Sequence, residues 1–296
     1  MKEIQRPFSA KPEWLKKRIS CGNSYDKVMT LLKDSCLHTV CEEANCPNLG
    51  ECFSQGTATF MIMGNRCTRN CTFCAVIHDR PEPLDRKEPE AVASAIKRLG
   101  LKYAVITSVT RDDLPDGGAS HFAATIRTIR QQNPRTAIEV LIPDFQGSRE
   151  ALKTVLEAHP DILNHNVETV PSLYKQVRPQ ADYRQSLNVL LQAHRDGGTK
   201  ATKSGIMLGL GEKPEEVLTV LEDLLEVGCR NLTIGQYLAP SFMHHQVHRY
   251  IHPDEFAKWE ATAYESGFEA VASGPFVRSS YHASEMFNSK ETRSTF

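Results

Sequence analysis

Short apolar runs alternate with amphipathic stretches along most of this chain. Apolar residues in the amphipathic stretches recur at helical spacing, as Val92, Ala95, Ile96 and Leu99 do. Strands are predicted at 58–63, 103–109, 137–142, 162–167, 203–210 and 231–237, with a short extended piece at 268–272. Helices are predicted at 88–99, 120–131, 149–157, 183–194, 214–227 and 253–266. The pattern therefore contains six strand–helix units and an extended ending.

Alternation of this kind predicts an α/β fold in which helices lie outside a parallel sheet. A complete eight-unit barrel would need two more units, so a partial (β/α)6 barrel fits the count. Ahead of it, residues 1–40 are polar and mixed, with a predicted helix at 24–32 whose Val28, Leu31 and Leu32 share one face. We interpret this segment as a cover that packs on the main domain.

Three cysteines, Cys67, Cys71 and Cys74, follow the first predicted strand at CxxxCxxC spacing. We call them the strand-end triad. Iron–sulfur clusters usually take four cysteines, so a set of three leaves one iron open to another ligand. Catalytic metal sites often keep an open position, whereas structural sites tend to be saturated. The spacing therefore favours a catalytic cluster over a structural one.

A second run precedes that strand, with Cys41, Cys46 and Cys52 at CxxxxCxxxxxC spacing. We call these residues the N-terminal triad. Pro47 and Gly50 interrupt any helix, so we expect the thiols on a turning loop. By itself the run indicates zinc, with a fourth ligand from elsewhere, about as strongly as iron. Next to the other motif, a second iron–sulfur cluster is the better interpretation.

The number and clustering of the cysteines indicate metal binding rather than disulfide bonds. The nine cysteines are an odd number, which suits a disulfide framework poorly, and clustered thiols in a reducing compartment usually bind metal. Cys21, Cys36 and Cys229 lie apart and are interpreted as ordinary thiols, with Cys229 buried at a helix–strand junction.

The net charge of −1 gives no electrostatic case for a nucleic-acid partner. With no bilayer-length apolar run and no signal-peptide core in residues 1–15, we expect a cytoplasmic protein.

Polar and glycine-rich segments follow the second, fourth and fifth predicted strands. They include Asp112 and Asp113, which have an ordinary interpretation as helix caps or solvated loop residues. Asn166 and Glu168 follow the fourth strand, where they could simply satisfy loop backbone. Because the ends of parallel strands share one rim, we predict instead that Asn166 and Glu168 hydrogen-bond the ribose hydroxyls or amino group of a cofactor.

The fifth strand leads into a turn that contains Gly209 and Gly211. They are either ordinary turn glycines or positions where the lack of a side chain lets a bulky cofactor approach the backbone. Four histidines crowd the segment after the sixth strand. They are His244, His245, His248 and His252. Pro240 and Pro253 make the segment look like a loop, so we interpret these histidines as surface or gating residues rather than metal ligands.

Phe73, directly before the last cysteine, completes a motif that resembles the radical S-adenosylmethionine (SAM) superfamily. The fuller set of motifs resembles one family within it, lipoyl synthase. Besides the two triads, the motifs are Asp-Asp-Leu-Pro-Asp-Gly-Gly at 112–118, Asn-His-Asn-Val-Glu-Thr at 164–169, Lys-Ser-Gly-Ile-Met-Leu-Gly-Leu-Gly-Glu at 203–212, Gln-Tyr-Leu-Ala-Pro-Ser at 236–241 and Arg-Ser-Ser-Tyr at 278–281. The resemblance covers nearly everything from Cys41 to Tyr281, with no departure at a cluster ligand.

By motif position, the resemblance implies a [4Fe–4S] cluster on the strand-end triad that binds SAM, and an auxiliary [4Fe–4S] cluster on the N-terminal triad. A serine of the Arg-Ser-Ser-Tyr motif would be the fourth auxiliary ligand, Ser280 with Ser279 as the fallback. Arg278 would help to move that serine. The expected SAM-binding residues are Phe73, Asn166, Glu168, Gly209 and Glu212.

The activity that the resemblance implies is insertion of two sulfurs at C6 and C8 of a protein-bound octanoyl-lysine, with sulfur from the auxiliary cluster. An octanoyl chain has no acidic C–H bond and no leaving group near C6 or C8. Acid–base chemistry therefore cannot act there, and a cofactor must supply a radical. The implied partners are octanoylated lipoyl carrier domains (2-oxoacid dehydrogenase E2 subunits or the glycine cleavage H protein), an electron donor such as flavodoxin or ferredoxin, and a cluster-repair protein. No nucleic-acid or membrane partner is expected.

Two alternatives stay open at this point. One is another radical SAM sulfur-inserting enzyme of the biotin-synthase type, and the other is an electron-transfer or zinc-binding module. The domain prediction has three parts: an N-terminal extension at 1–57 with the N-terminal triad, a partial barrel at 58–275, and a C-terminal segment at 276–296. Both extensions are expected to cover the barrel mouth.

Overall fold

The structure is a computed structural model that describes residues 11–16, 23–44, 46–54, 58–281 and 283–286. The strands of these residues are β1 (His38–Thr39), β2 (Thr59–Ile62), β3 (Arg66–Cys67), β4 (Ile77–His78), β5 (Tyr103–Ser108), β6 (Ala137–Leu141), β7 (Ile162–Asn164), β8 (Ala201–Leu208), β9 (Asn231–Gln236) and β10 (Ala270–Gly274). Eight of them form one sheet in the order β1-β2-β5-β6-β7-β8-β9-β10, and β3 pairs with β4 separately. β1 runs antiparallel to β2, whereas the other pairings of the sheet are parallel.

The α-helices are α1 (Asn23–Asp34), α2 (Val40–Glu43), α3 (Leu49–Ser54), α4 (Glu88–Leu99), α5 (Ala119–Gln132), α6 (Arg149–Leu156), α7 (Tyr174–Val177), α8 (Tyr183–Asp196), α9 (Pro214–Glu226) and α10 (Pro253–Ser266). Short 3-10 turns lie at Glu13–Leu15, Phe145–Gly147 and Pro171–Leu173. Side chains cap several helix starts: Ser148 Oγ accepts from Ala151 N at 3.2 Å, and Asp182 Oδ1 accepts from Gln185 N at 2.8 Å. Pro214 occupies the first turn of α9, as predicted.

The apolar faces of the helices and sheet pack into two main clusters of buried side chains. Phe60 and Phe122 belong to the first, and Ile234 and Phe256 to the second. As predicted, α1 packs on the main domain, because the buried residues of its apolar face join the first cluster. They are Val28, Leu31 and Leu32.

One buried ion pair lies within the sheet. Lys203 Nζ on β8 lies 3.1 Å from Glu139 Oε1 on β6, with side chains that are only 2% and 1% exposed. Asn164 on β7 donates to the same carboxylate at 2.9 Å, and the Tyr103 hydroxyl on β5 donates at 2.6 Å. A single charged cluster thereby joins four neighbouring strands.

The α/β prediction and the partial barrel are confirmed. The strand order has two different ends, β1 and β10, and no pairing among the described strands joins them. The predicted ending at 268–272 is a full strand at Ala270–Gly274 that pairs in parallel with β9. The division at 57/58 and 275/276 stays a prediction.

One local expectation was wrong in part, and one strand was missed. The N-terminal triad does not lie entirely on a turning loop, because Cys41 is in α2 and Cys52 is in α3, whereas Cys46 lies in the loop between these helices. Pro47 stands in the turn before α3 rather than inside it, and Gly50 falls in the first turn of α3. The strand β1 within the polar N-terminal segment was also not foreseen.

The isolated cysteines lie as follows. Cys229 is fully buried between α9 and β9, as predicted, and Cys36 is exposed. Cys21 lies outside the described residues. Within the part of the chain that the structure describes, no helix combines the length and apolarity needed to cross a bilayer.

Candidate active site

The strand-end triad lies on the loop that follows β2, at the carboxyl edge of the parallel sheet. Cys67 Sγ accepts hydrogen bonds from Arg69 N at 3.4 Å and from Thr110 N at 3.3 Å, the latter just beyond the end of β5. Burial raises the pKa of Cys71, and it raises the pKa of Cys74 to about 12. Charge repulsion from Cys67 adds to both shifts, which indicates that the three sulfurs lie close together.

Arg69 fixes this loop to the ends of two strands. Its Nε lies 2.6 Å from Asp112 Oδ2, and its Nη2 lies 2.7 Å from Asp144 Oδ1, whose side chain is completely buried. Burial alone would raise the pKa of Asp144, but the bonds and charge of Arg69 lower it to about 2. The ordinary interpretation of Asp112 as a cap or solvated residue does not hold, and Asp113 instead pairs with Arg111 at 2.9 Å.

The opposite side of the loop is bound to the segment that follows β7. Thr72 N donates to Val177 O at 3.0 Å, and Thr72 Oγ1 donates to Gln176 O at 2.8 Å. Asn70 N donates to Gln180 Oε1 at 2.6 Å. The strand-end triad is therefore held from two sides by strand-end segments that are far apart in sequence.

Asn166 and Glu168 lie beside this triad, as predicted. Asn166 Nδ2 donates to Glu168 Oε1 at 3.1 Å, and Glu168 adopts the left-handed region with φ 67°. Burial raises the pKa of Glu168, although Arg178 and Asn166 oppose that shift. Glu168 also raises the pKa values of Cys71 and Cys74, so its carboxylate faces the sulfurs.

Arg178 is a site residue that the sequence did not reveal. Its Nη1 donates to Asn166 O and to the Tyr174 hydroxyl, both at 3.1 Å, and its charge lowers the pKa of Cys71. Within the described residues, the buried atoms Arg178 Nε and Asn166 Oδ1 have no hydrogen-bond partner. Buried polar atoms are nearly always satisfied, so these two fit a polar ligand at this point.

The turn after β8 contains the predicted residues Gly209 and Glu212. Gly209 and Gly211 have φ of 99° and 114°, which other residues rarely adopt. The Glu212 carboxylate accepts from the backbone N of Gly209, Leu210 and Gly211, at 2.7, 2.9 and 3.1 Å. Glu212 therefore organises the turn, and its direct contact with a cofactor stays a prediction.

The N-terminal triad forms a second cluster of thiols. Cys46 N donates to Cys41 O at 3.0 Å, and a hydrogen bond between the two thiols, together with burial, raises the pKa of Cys41. Repulsion from Cys52 adds to the shift, so the third sulfur is close as well.

The Arg-Ser-Ser-Tyr motif lies next to this second triad. Burial lowers the pKa of Arg278, and the nearby Cys46 thiol opposes that shift. Tyr281 N donates to Arg278 O at 3.0 Å, so Ser279 and Ser280 occupy the turn between them. The assignment of Ser280 as a ligand stays a prediction.

A direct contact links the neighbourhoods of the two triads. Asn65 Nδ2, two residues before Cys67, lies 3.3 Å from Glu43 Oε1, two residues after Cys41. Cys41 belongs to the first buried cluster of the fold, and Cys67 packs against the same cluster. Both triads are therefore anchored on one core.

The two triads consist of the type of ligand that iron–sulfur clusters take. Within the described residues, no three His, Cys, Asp or Glu side chains converge as the ligands of one metal ion do. Two sets of grouped thiols fit iron–sulfur clusters, because thiolates are the usual ligands of such clusters.

The histidine segment 244–252 approaches the site. His244 and His245 are half-buried, whereas His248 and His252 are exposed, so the surface interpretation holds for only two of the four. His252 Nδ1 accepts from Asp254 N at 3.3 Å and caps α10. Phe73 packs beside this segment, against Val177, Leu210 and Tyr237.

Two family models match the sequence. The Radical SAM superfamily model matches residues 61–224, and the model of the N-terminal domain of lipoyl synthase of the Radical SAM family matches residues 4–46. Lipoyl synthase of Caldanaerobacter subterraneus subsp. tengcongensis is 57% identical over 273 residues, covering 92% of this chain and 95% of that protein. Lipoyl synthase of Rubrobacter xylanophilus is 55% identical over 281 residues, covering 95% and 88%.

Solved structures share the fold at low identity. Streptococcus suis SuiB bound to S-adenosylmethionine aligns with a TM-score of 0.57 and 10% identity, covering 76% of this chain and 54% of that one. HydG, a maturase of the [FeFe]-hydrogenase, aligns with a TM-score of 0.56 and 16% identity, covering 84% and 63%. Similarity at these identities concerns the fold alone.

Proposed function

The chain belongs to the lipoyl synthase family of the radical SAM superfamily, and from this premise we propose how its own residues insert sulfur. As a member of this family it is an enzyme that uses a [4Fe–4S] cluster and SAM. The finer proposal is that it inserts sulfur at C6 and C8 of an octanoyl-lysine on a carrier domain. The sulfur would come from a second [4Fe–4S] cluster.

The observation that supports the proposal best is that two separate cysteine triads lie on one buried core. The contact between Asn65 and Glu43, at 3.3 Å, brings their loops together. A radical source alone would need only the strand-end triad. The N-terminal triad supplies a second set of thiols that can hold the sulfur to be transferred.

On the cofactor side, the strand-end triad would ligate three irons and leave the fourth to SAM. Arg178, with a free buried Nε, would bind the SAM carboxylate, and Asn166 and Glu168 would bind the ribose or amino group. Asn166→Ala and Glu168→Ala should each weaken SAM binding in a calorimetric titration. Unchanged affinity in both variants would reject this assignment.

On the sulfur side, the N-terminal triad would hold three irons and Ser280 the fourth. A serine oxygen can leave on protonation more readily than a fourth thiolate, which suits a cluster that is taken apart. Arg278 lies near Cys46, where burial lowers its pKa, and its Nη1 donates to Val277 O at 2.7 Å. We propose that Arg278 helps to release Ser280.

When bound, the cofactors supply one-electron radical chemistry at unactivated carbon and the sulfide that is inserted. The chain itself has to position the acyl group and exclude water. Phe73 contributes an apolar wall beside Cys74, because it packs against Val177, Leu210 and Tyr237. The carrier domain would be an E2 subunit or the glycine cleavage H protein, with flavodoxin or ferredoxin as the electron donor and a separate protein for cluster repair.

Metal and sulfide analysis of anaerobically purified protein tests the two-cluster proposal. The wild-type chain should carry about eight irons and eight sulfides, and Cys41→Ala and Cys67→Ala about half of each. Cys36→Ala is the matched control, because Cys36 is exposed and belongs to neither triad. Zinc in place of iron would contradict the proposal.

Substrate specificity is tested in a single-turnover assay with SAM and a strong reductant. Octanoylated carrier domain should yield a lipoyl product, whereas dethiobiotin should remain unchanged. Conversion of dethiobiotin instead would assign the chain to biotin-type chemistry.

A further inference from the structure

The segment 238–251, between β9 and α10, crosses directly over the cysteine loop. We call it the histidine strap. His245 N donates to Thr72 O at 2.8 Å, and His244 Nε2 lies 3.0 Å from Cys74 O. The carbonyl of an expected cluster ligand is therefore held by a ring nitrogen from a residue far away in sequence.

The same strap is bonded to the glycine turn 209–212. His245 Nε2 lies 2.9 Å from Leu210 O, and His248 N donates to Gly209 O at 2.8 Å. The Tyr237 hydroxyl, one residue after β9, donates to His245 O at 2.6 Å and so ties the strap to the end of that strand. His245 thus contacts the cysteine loop with its backbone and the turn with its ring.

The packing of the strap explains the glycines of that turn. A Cβ at Gly209 would lie 2.5 Å from Arg249 O and 2.4 Å from Gln236 Nε2. A Cβ at Gly211 would lie 3.3 Å from the His248 ring. Side chains at these positions would push the strap away from the turn, and the glycines allow this close approach.

The hydrogen positions on the two rings follow from their partners. Carbonyl oxygens only accept, so Nε2 of both His244 and His245 must donate. His244 Nδ1 lies 2.8 Å from Ser241 Oγ, which fixes the orientation of that ring. A carbon isostere at either position would remove a donor without removing the bulk of the side chain.

We propose that His244 and His245 are positioning residues that set the distance between the cysteine loop 67–74 and the glycine turn 209–212. The proposal rests on the proposed function, in which SAM contacts both segments. A cofactor that bridges the cysteine loop and the glycine turn is aligned only when these two segments are held at a fixed distance. The imidazole donors of His244 and His245 fix that distance.

The test compares H244L/H245L, which lacks both donors, with H244Q/H245Q, because a glutamine amide can donate from about the place of Nε2. His252→Gln is the matched control, since His252 contacts neither segment and caps α10. Each protein is loaded with iron and sulfide anaerobically. SAM affinity is then titrated, and the electron paramagnetic resonance signal of the reduced cluster is recorded with and without SAM.

We expect H244L/H245L to bind SAM roughly tenfold more weakly, a factor that the loss of a hydrogen bond commonly produces. Addition of SAM should change the electron paramagnetic resonance signal of this variant less than that of the wild type. H244Q/H245Q should regain most of the affinity, and His252→Gln should match the wild type. In the metal-free chain, amide hydrogen exchange at Thr72–Cys74 should be faster in the leucine variant alone.

Wild-type SAM affinity and signal in H244L/H245L would overturn the inference, as would a glutamine variant as weak as the leucine variant. If the double variant does not load iron, His245→Leu and His245→Gln carry the same comparison while the bond to Cys74 stays in place. Failure of this inference can be distinguished from failure of the proposed function. A wild-type enzyme that binds SAM but makes no lipoyl product would refute the function, whereas the strap is judged on SAM binding.

Discussion

At the scale of single residues, Arg69 holds the loop of the strand-end triad in place. It stands between Cys67 and Cys71, and its guanidinium binds Asp112 and Asp144. The side chain of Arg69 is 6% exposed and that of Asp144 is not exposed at all. A buried charge pair of this kind is costly to break, because removing one partner leaves the other uncompensated.

Arg69→Met should therefore lower the free energy of unfolding by about 3–5 kcal/mol. Arg149→Met is the control, because Arg149 pairs with Asp196 on the surface and its side chain is 65% exposed. The control should stay close to the wild type. Urea unfolding of the metal-free chains measures both, and equal stability of the two variants would contradict this account.

The pH dependence of stability follows from Asp144. Its folded pKa of about 2 is below the usual 3.8, so its contribution is present above pH 4 and is lost as the pH falls toward 2. The shift corresponds to roughly 2 kcal/mol. Asp144→Asn should be less stable than the wild type at pH 5, and the difference should shrink by pH 2.5. Guanidinium unfolding at both values measures this, and a constant difference would refute it.

The sequence predicted the thiols because their spacing is local. It did not predict the partners of Arg69, which lie 43 and 75 residues away, and it missed Arg178 altogether. Nothing in the local pattern separates these arginines from solvated ones. Their importance arises only when the strand ends meet at one edge of the sheet.

At the scale of elements, the buried pair of Lys203 and Glu139 joins β6 and β8 across β7. Lys203→Met should lower the free energy of unfolding by about 3–5 kcal/mol, because the carboxylate is left buried without its counter-charge. The double variant Lys203→Met with Glu139→Leu should recover much of the loss, since it removes both charges. Urea unfolding tests this, and a double variant no more stable than the single one would contradict it.

Most elements could be predicted from periodicity, but the elements around the N-terminal triad could not. β1 has two residues, His38 and Thr39, and exists because they pair with Met61 and Phe60. A strand this short carries no pattern of its own. α2 is likewise only four residues long, and its start depends on Thr39, whose Oγ1 accepts from Glu42 N at 3.3 Å.

At the scale of the whole molecule, the segment between β1 and β2 contacts the segment that follows β10. Asn48 Nδ2 donates to Phe276 O at 2.7 Å, and the Tyr281 hydroxyl donates to Glu51 Oε1 at 2.9 Å. β2 and β10 are far apart in the strand order, so these contacts tie the N-terminal triad to the Arg-Ser-Ser-Tyr motif. The alternation of strands and helices predicted the sheet, whereas these contacts depend on residues more than 200 positions apart.

Tyr281→Phe should loosen the C-terminal segment. Loss of one hydrogen bond costs about 0.5–1.5 kcal/mol, so amide exchange at 276–281 should rise by up to roughly tenfold. Tyr183→Phe is the matched control, because its hydroxyl binds the Asp223 carboxylate at 2.8 Å elsewhere in the fold. Mass spectrometry of exchanged peptides measures both, and unchanged exchange at 276–281 in Tyr281→Phe would contradict the contact.

The central claim is that the N-terminal triad holds the sulfur that is inserted. The most direct measurement is a single turnover of protein reconstituted with heavy-isotope sulfide, using octanoylated carrier domain, SAM and a reductant, with mass spectrometry of the product. We predict that both inserted sulfurs carry the label, and that Cys41→Ala forms 5′-deoxyadenosine but no sulfur-containing product. Unlabelled sulfur in the product, or a wild-type yield of lipoyl product from Cys41→Ala, would contradict the claim.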